Sequence, residues 1–309
     1  MLSHENYAKG ISGYIDRTGM HGDHTVLSLL PLYHVFPLLG CMLAPLFCGA
    51  TIVISRNYLP RAVLKIIDDY KINYLTMVPL IYKLLLRYYK KGDYNLSSLT
   101  CCITGGDYVA ASFQKEIYDK LGITLLQGYG LTECLPVICN PPVHNKFGTL
   151  GTSGRDDIAI RIADEQGCSV ETGAIGEICI SSPTVMSGYF RMDIETRMAL
   201  SDGWLNTGDY GYLDDDGYLN FSGRKKKVAK VGGNMVDLKE VQNVLLSHPL
   251  ISDASVYAVE DDLWGHSIKA EVLCHGTDSL KESDILCYCK KRLTGYKIPK
   301  EVSIPVEVV

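Results

Sequence analysis

A long stretch without charged side chains limits what this chain of 309 residues can form. Residues 25–55 contain no Asp, Glu, Lys or Arg, and residues 35–54 are numerous enough to cross a bilayer as a helix. Two prolines and two glycines interrupt residues 35–54, which end in the β-branched run TIVI. We therefore predict a buried strand, a loop, a short helix and a second buried strand of a parallel sheet, and no membrane span.

Strand-like and helix-like runs alternate through the first 140 residues or so. The pattern predicts strands at residues 25–29, 51–55, 72–78, 100–104 and 123–127, with helices at residues 59–70, 79–89 and 112–121. Such alternation is typical of α/β layers joined by right-handed crossovers.

The pattern changes twice further along the chain. From residue 148 to residue 221, short β-like runs separated by Gly, Asp and Ser predict a small antiparallel barrel or sheet. After residue 223, a basic cluster and a glycine pair are followed by a compact α+β pattern. We predict a large domain at residues 1–222, with an α/β part at 1–145 and a β-rich part at 146–222, and a small domain at 223–309.

Composition excludes several functional classes. The net charge of −5 lacks the basic excess of a nucleic-acid-binding protein, so we expect no nucleic-acid partner. Eleven cysteines occur without a Cys-x-x-Cys pair, which indicates buried, reduced thiols. The first residues lack the basic and apolar stretches of a signal peptide, so we expect a cytoplasmic protein.

The heptapeptide QGYGLTE at residues 127–133 is the strongest local signal and directly follows a predicted strand. Gly128 and Gly130 could begin a dinucleotide fingerprint, which needs a third glycine and a long helix. Glu133 stands where that glycine belongs, and Pro136 disfavours a regular helix. A nicotinamide-dependent oxidoreductase is therefore disfavoured.

A loop at the carboxyl end of the strand explains the same heptapeptide better. Tyr129 offers a flat face for a base, Thr132 a hydroxyl for a phosphate oxygen, and Glu133 a hard oxygen ligand for Mg²⁺. These three side chains together indicate a nucleotide site.

A second signal lies in WLNTGD at residues 204–209 and FSGR at residues 221–224. The Asp209 carboxylate can accept two hydrogen bonds from a ribose diol, and Arg224 can bridge ribose and phosphate. Taken alone, an ordinary aspartate in a turn and an ordinary surface arginine explain the two residues more simply.

Nine short motifs follow one another in a single order along nearly the whole chain. They are MLSH at 1–4, PLYH at 31–34, GG at 105–106, GYGLTE at 128–133, GE at 176–177, WLNTGD at 204–209, GR at 223–224, KVGG at 230–233 and YKIPK at 296–300. The set resembles the adenylate-forming superfamily of acyl-CoA synthetases, carrier-protein adenylation domains and luciferase-like ligases. The form GYGLTE is more similar to the acyl- or aryl-CoA ligase branch than to the amino-acid-activating one.

The resemblance implies a fold. It is a partial large adenylation domain, with parallel α/β layers and a small β-barrel subdomain, followed by a small C-terminal α+β domain. It also implies an ATP-dependent acid–CoA ligase that forms an acyl-adenylate and then a thioester, as in fatty acid metabolism. ATP or AMP, Mg²⁺, coenzyme A and a carboxylic acid would be its ligands, with a carrier protein as an alternative acceptor.

The resemblance assigns the nucleotide site residue by residue. Tyr129 would pack on adenine, and Gly105 and Gly106 would form part of the wall of the adenine and acyl pocket. Gln127 and Gly128 would belong to the same site.

The phosphate, metal and ribose contacts come from two motifs. Thr132 would contact the α-phosphate and Glu133 would bind Mg²⁺. Asp209 would hold the ribose hydroxyls, and Arg224 would reach the ribose or a phosphate.

The remaining roles concern the thiol acceptor and domain motion. His34 resembles the residue that gates the pocket where the acyl group and pantetheine meet. Gly232 and Gly233 resemble the turn that lets the backbone approach pantetheine, which glycine alone permits. Lys227 falls at the interdomain hinge.

Two family features are absent from these 309 residues. The Ser/Thr/Gly-rich phosphate loop would precede MLSH, and the adenylation lysine would follow YKIPK, to which Lys297 and Lys300 belong. We therefore expect impaired adenylation, while thioester formation from supplied acyl-adenylate survives. The alternatives are a non-catalytic nucleotide- or acyl-adenylate-binding remnant and one half of a split enzyme.

Overall fold

The computed structural model describes residues 1–135, 138–224, 228–232, 234–261, 264–274 and 280–304. The helices in these ranges are α1 (His4–Thr18), α2 (Val35–Pro37), α3 (Ala44–Cys48), α4 (Pro60–Asp69), α5 (Pro79–Tyr88), α6 (Ala111–Leu121), α7 (Asp193–Ala199), α8 (Leu238–Leu246) and α9 (Glu282–Lys290). A π-helical segment, Leu38–Leu43, joins α2 to α3, and a 3-10 turn spans Gly295–Lys297.

Sixteen strands lie in the same ranges. They are β1 (Thr25–Ser28), β2 (Thr51–Ile54), β3 (Tyr74–Met77), β4 (Cys101–Thr104), β5 (Leu125–Tyr129), β6 (Ile138–Cys139), β7 (Ala159–Ala163), β8 (Gly176–Ser181), β9 (Leu200–Ser201), β10 (Trp204–Leu213), β11 (Leu219–Arg224), β12 (Val228–Val231), β13 (Asn234–Asp237), β14 (Ile251–Asp261), β15 (Gly265–Cys274) and β16 (Glu301–Ser303). They form three sheets.

The first sheet has the strand order β2-β1-β3-β4-β5-β6. Strands β1 to β5 pair in parallel, and β6 pairs antiparallel with β5. The predicted α/β alternation is confirmed. Because β5 leads into an antiparallel partner and not into a helix, the weak dinucleotide fingerprint has no structural counterpart.

Both faces of this sheet are covered by helices. Neighbouring residues on a strand point to opposite faces. Leu27 and Leu75 pack with α4, α5 and α6, whereas Val26 and Tyr74 pack with α1 and α3. The parallel sheet covered on both sides is therefore confirmed, and it forms the core of the α/β part.

The charge-free stretch folds as strand, loop, helix and strand, as predicted. The second strand, β2, is not buried, however: it lies at the edge of the sheet, and Ile54 is 75% exposed. Edge position depends on strand order, which the apolar composition of a strand does not report. Within the described ranges, no helix combines the length and the apolar character needed to cross a bilayer.

The second sheet confirms the β-rich region. Its strand order is β11-β10-β8-β7, with β9 antiparallel to β10. Strand β10 covers all of Trp204–Leu213, which is longer than the short β-like runs expected in this region. The simpler interpretation of Asp209 as a turn residue is therefore wrong, since it lies inside a strand.

The third sheet, with helices α8 and α9, confirms the C-terminal α+β pattern. Its order is β13-β12-β15-β14, and β16 is parallel to β15. Val241 on α8 and Ile285 on α9 pack against Ile268 and Val272 of β15 in one apolar core.

The chain separates into two compact units. One contains residues 1–161, 179–207 and 213–220, and the other contains residues 162–178, 208–212 and the chain from residue 221 onward. The domain boundary after residue 222 stays a prediction.

All eleven cysteines are free thiols. Seven are buried, but Cys168 and Cys287 are exposed, so the expectation of buried thiols is wrong for these two.

Candidate functional site

Gln127 fixes the wall of the candidate nucleotide site in the first compact unit. Its side chain is buried in β5. With the amide nitrogen towards the loop after β4, it donates to Val109 O at 3.1 Å and accepts from Val109 N at 3.2 Å. Gln127 therefore joins the end of β5 to the loop that contains Gly105 and Gly106.

Gly105 and Gly106 follow β4 directly, and each requires glycine for a different reason. A Cβ atom on the buried Gly105 would lie 3.0 Å from the Phe36 ring, and Gly106 has φ +82°. Directly before them, Thr104 Oγ1 is buried, and no hydrogen-bond partner for it occurs in the described part of the chain. A buried hydroxyl of this kind normally has a partner, so a ligand atom is a reasonable candidate.

Gly128 and Tyr129 lie inside β5 and not in the loop after it. They pair antiparallel with Cys139 and Ile138 of β6. The Tyr129 residue is only 9% exposed. The loop of the candidate site therefore begins at Gly130, two residues later than expected from the predicted strand at residues 123–127.

Thr132 and Glu133 occupy that loop. Thr132 is exposed, and Glu133 is half-buried. The Tyr189 hydroxyl donates to Glu133 Oε1 at 2.9 Å, and Met186 N donates to Glu133 O at 2.7 Å. Burial and the neighbouring Glu133 raise the pKa of Tyr189 to about 12, so its hydroxyl stays protonated at neutral pH.

The segment that holds Glu133 is anchored to the first residues of the chain. The Asn6 amide donates to Pro183 O at 2.8 Å and to Val185 O at 3.0 Å, and Ser187 N donates to Met1 O at 2.9 Å. The motif MLSH, which had no assigned role, thus helps to hold the loop of Glu133 in place.

Glu133 fits a magnesium ion that is shared with a nucleotide. Within the described ranges, no group of three or more His, Cys, Asp or Glu side chains could hold a metal. Mg²⁺ commonly keeps several waters and binds through one or two carboxylates and substrate phosphates. An ionised carboxylate has about four acceptor positions, so the bond from Tyr189 leaves others for a cation.

Asp209 and Arg224 lie together in the second compact unit. Arg224 Nε lies 3.2 Å from Asp209 Oδ1, and the two side chains are 73% and 6% exposed. Glu177 Oε1 accepts a hydrogen bond from Gly208 N at 3.0 Å, where φ is +71°. The motif GE at residues 176–177 therefore orients the strand that carries Asp209.

Gly232 lies in a tight turn of the same unit. Its φ is +56°, a Cβ atom would lie 2.6 Å from the Trp264 ring, and its N–H donates to Trp264 O at 2.8 Å. The backbone at Gly232 therefore packs closely against Trp264, and contact with pantetheine stays a prediction. Gly233 and Lys227 lie outside the described residues.

His34 is exposed at the start of α2, and its ring lies 4.5 Å from the Tyr33 ring. Lys297 pairs with Glu240 and Lys300 with Asp261, each at 2.7 Å. Both lysines therefore have structural partners, and neither is assigned to adenylation.

The structure thus brings together Gln127 with the glycine loop, and Asp209 with Arg224. Tyr189 is the functional candidate that sequence reasoning missed. It is one of 20 tyrosines and lies 56 residues from Glu133 in the chain, so no local pattern connects the two.

Comparison with known proteins connects both ends of the chain to one family. Residues 1–190 match the AMP-binding enzyme family, and residues 240–307 match the AMP-binding enzyme C-terminal domain. A feruloyl-CoA synthase from Amycolatopsis sp is 32% identical over 306 residues, which are 98% of this chain and 62% of that protein.

Solved structures show the same fold. ATP-bound MatB from Rhodopseudomonas palustris has a TM-score of 0.88 at 27% identity, covering 99% of this chain and 61% of that one. The o-succinylbenzoate coenzyme A synthetase MenE from Bacillus subtilis, in complex with ATP and magnesium ion, has a TM-score of 0.84 at 27% identity, covering 98% and 62%. The chain spans less than two thirds of the length of each of these proteins.

Proposed function

Since the chain belongs to the AMP-binding enzyme family, we propose that it takes part in the ATP-dependent joining of a carboxylic acid to coenzyme A. The observation that supports this most strongly is the loop after β5. It presents an exposed Thr132 hydroxyl beside a Glu133 carboxylate that a neutral donor holds in place.

The proposed reaction has two steps. A carboxylate oxygen of the acid attacks the α-phosphorus of ATP, the bond to the bridging oxygen breaks, and pyrophosphate leaves. The sulfur of coenzyme A then attacks the acyl carbonyl, loses its proton, and AMP leaves. A carboxylate is already nucleophilic at neutral pH, so alignment and charge stabilisation matter more than a general base.

The first compact unit would bind the base, phosphate and metal. Tyr129 would pack on adenine beside the wall of Gly105 and Gly106, which Gln127 supports. The Thr132 hydroxyl would donate to an α-phosphate oxygen, and Glu133 would bind Mg²⁺, whose charge would stabilise the charge that develops on the phosphate.

The second compact unit would bind the ribose and the thiol. Asp209 would accept hydrogen bonds from the ribose hydroxyls, and Arg224 would reach the ribose or a phosphate. Gly232 and Gly233 would let the backbone approach pantetheine, and Lys227 would act as a hinge. His34, which lies in the first compact unit, would gate the acyl pocket.

The two steps of the proposed reaction can be measured separately. Pyrophosphate exchange into ATP measures the first step, and coenzyme A consumption with synthetic acyl-adenylate measures the second. We expect thioester to form from supplied acyl-adenylate, and no coenzyme A consumption with the acyl-adenylate would contradict the proposed second step.

The acid, the acceptor and the location belong to the same proposal. The acid is an acyl or aryl carboxylic acid, with fatty acids among the candidates, and coenzyme A is favoured over a carrier protein. A cytoplasmic location is supported by eleven free thiols.

The competing proposal is a module that binds adenylate without turnover. Calorimetry with AMP and a non-hydrolysable acyl-adenylate analogue distinguishes the cases when it is combined with the thioester assay. Binding without thioester formation would favour the module. Adenylation restored by a second polypeptide would favour a split enzyme.

A further inference from the structure

We infer that Tyr189 positions the Glu133 carboxylate for the divalent cation that accompanies the nucleotide. This inference rests on the proposed function, because it assumes that Glu133 binds the cation. Its geometric basis is the 2.9 Å hydrogen bond from the Tyr189 hydroxyl to Glu133 Oε1.

The backbone around Tyr189 is held in one place. Tyr189 N donates to Thr196 Oγ1 at 2.9 Å, and that hydroxyl donates to Met192 O at 2.7 Å. Gly188 has φ +140°, and a Cβ atom on it would lie 2.7 Å from Thr196 Cγ2. The backbone that carries Tyr189 therefore packs against Thr196 in the middle of α7.

The same segment also holds the backbone of Glu133. Met186 N donates to Glu133 O, and Cys134 pairs with Val185 in an antiparallel bridge. The same segment, residues 185–189, therefore holds both the main chain and the side chain of Glu133. A carboxylate held in this way is already oriented, so binding a cation costs less conformational entropy.

A tyrosine is suited to this task because it orients the carboxylate without neutralising it. A tyrosine hydroxyl is a neutral donor, and here it donates to Glu133 Oε1 at 2.9 Å. An arginine or lysine at this position would compete with Mg²⁺ for the negative charge. The neutral hydroxyl leaves the full charge of Glu133 to the cation.

A purely structural role would also explain the hydrogen bond, but it predicts a different experiment. If the bond is only structural, removing it lowers the free energy of unfolding and leaves the Mg²⁺ dependence of nucleotide binding unchanged. If the bond positions Glu133, removing it changes the Mg²⁺ dependence, and this change requires the Glu133 carboxylate.

The test measures ATP binding to the full chain by calorimetry at a series of Mg²⁺ concentrations and in EDTA. In Tyr189→Phe, we expect the Mg²⁺ concentration that gives half of the maximal gain in ATP affinity to rise about tenfold. A change of this size is typical when a residue that hydrogen-bonds to a metal ligand is replaced. Affinity in EDTA should not change. Tyr218→Phe is the matched control, because it removes a hydroxyl that donates to His144 O, away from Glu133.

A double-mutant cycle with Glu133→Gln completes the test. We expect Tyr189→Phe to have no further effect on Mg²⁺ dependence in the Glu133→Gln background. An unchanged Mg²⁺ dependence in Tyr189→Phe, or the same shift in both backgrounds, would overturn the inference. Absence of both AMP and ATP binding to the unaltered chain would instead overturn the proposed function.

Discussion

Two carboxylates in different regions of the molecule are held by opposite means. Glu133, in the first compact unit, is half-buried and accepts a hydrogen bond from the neutral hydroxyl of Tyr189. Asp209, in the second, is almost fully buried and pairs with the charged Arg224. The partner of each carboxylate determines how much of its negative charge remains for a ligand.

Burial explains why the two partners differ. Removing a carboxylate from water is unfavourable unless a charge or several hydrogen bonds compensate. Asp209 needs such compensation, whereas Glu133 retains partial solvation. We therefore propose a neutral ligand, such as ribose hydroxyls, for Asp209 and a cation for Glu133.

The largest expected effect is the loss of nucleotide affinity in Asp209→Ala. Two hydrogen bonds from a ribose diol to a charged acceptor would disappear, so AMP should bind about 100-fold more weakly. Calorimetry measures this, with Asp216→Ala as the control, since the exposed Asp216 pairs with Lys146 at the surface. An AMP affinity within threefold of the unaltered chain would break the assignment of Asp209.

The next effect concerns Glu133→Gln, which keeps the shape of the side chain and removes its charge. We expect the Mg²⁺-dependent part of ATP binding to fall about 30-fold, since a neutral amide is a weak Mg²⁺ ligand. AMP affinity without metal should be unchanged. A parallel loss of AMP affinity would show that Glu133 does not differ from Asp209 in the way we propose.

Smaller effects are expected on the free energy of unfolding when Arg224 or Tyr189 is replaced. Arg224→Ala removes a cation from beside a buried carboxylate, and the exposed position of Arg224 limits the loss to about 1 kcal/mol. Tyr189→Phe should lower the free energy of unfolding by about 0.5 kcal/mol. Urea unfolding measures both, and a larger loss in Tyr189→Phe would reverse the comparison.

The smallest effect is the response to salt. Because an ion pair is screened more than a bond from a neutral hydroxyl, 1 M NaCl should reduce the destabilisation caused by Arg224→Ala. The destabilisation caused by Tyr189→Phe should stay the same. Equal salt responses in urea unfolding would remove the electrostatic distinction between the two regions.

The sheet was predictable because its chemistry is local. Neighbouring residues on a strand, such as Val26 and Leu27, are both apolar and point to opposite faces of the sheet. Burial on both faces can therefore be inferred from the strand sequence alone. The edge position of β2 was not predictable, because strand order depends on which strands, distant in sequence, pair with each other. Strand β10 was underestimated, since Gly208 and Asp209 are typical of turns.

The site was predictable to the same degree. Glu133 and Asp209 stand in motifs that chemistry makes recognisable, but their partners come from elsewhere in the fold. Tyr189 reaches Glu133 across 56 residues, because backbone bonds such as the bridge between Val185 and Cys134 and the bond from Met186 N to Glu133 O bring the two segments together.

The most direct test of the account is calorimetric titration of this chain with a non-hydrolysable acyl-adenylate analogue. We predict binding at a single site, tighter than that of AMP, because the acyl pocket adds to the nucleotide contacts. A titration that shows no binding of the analogue would contradict the central claim.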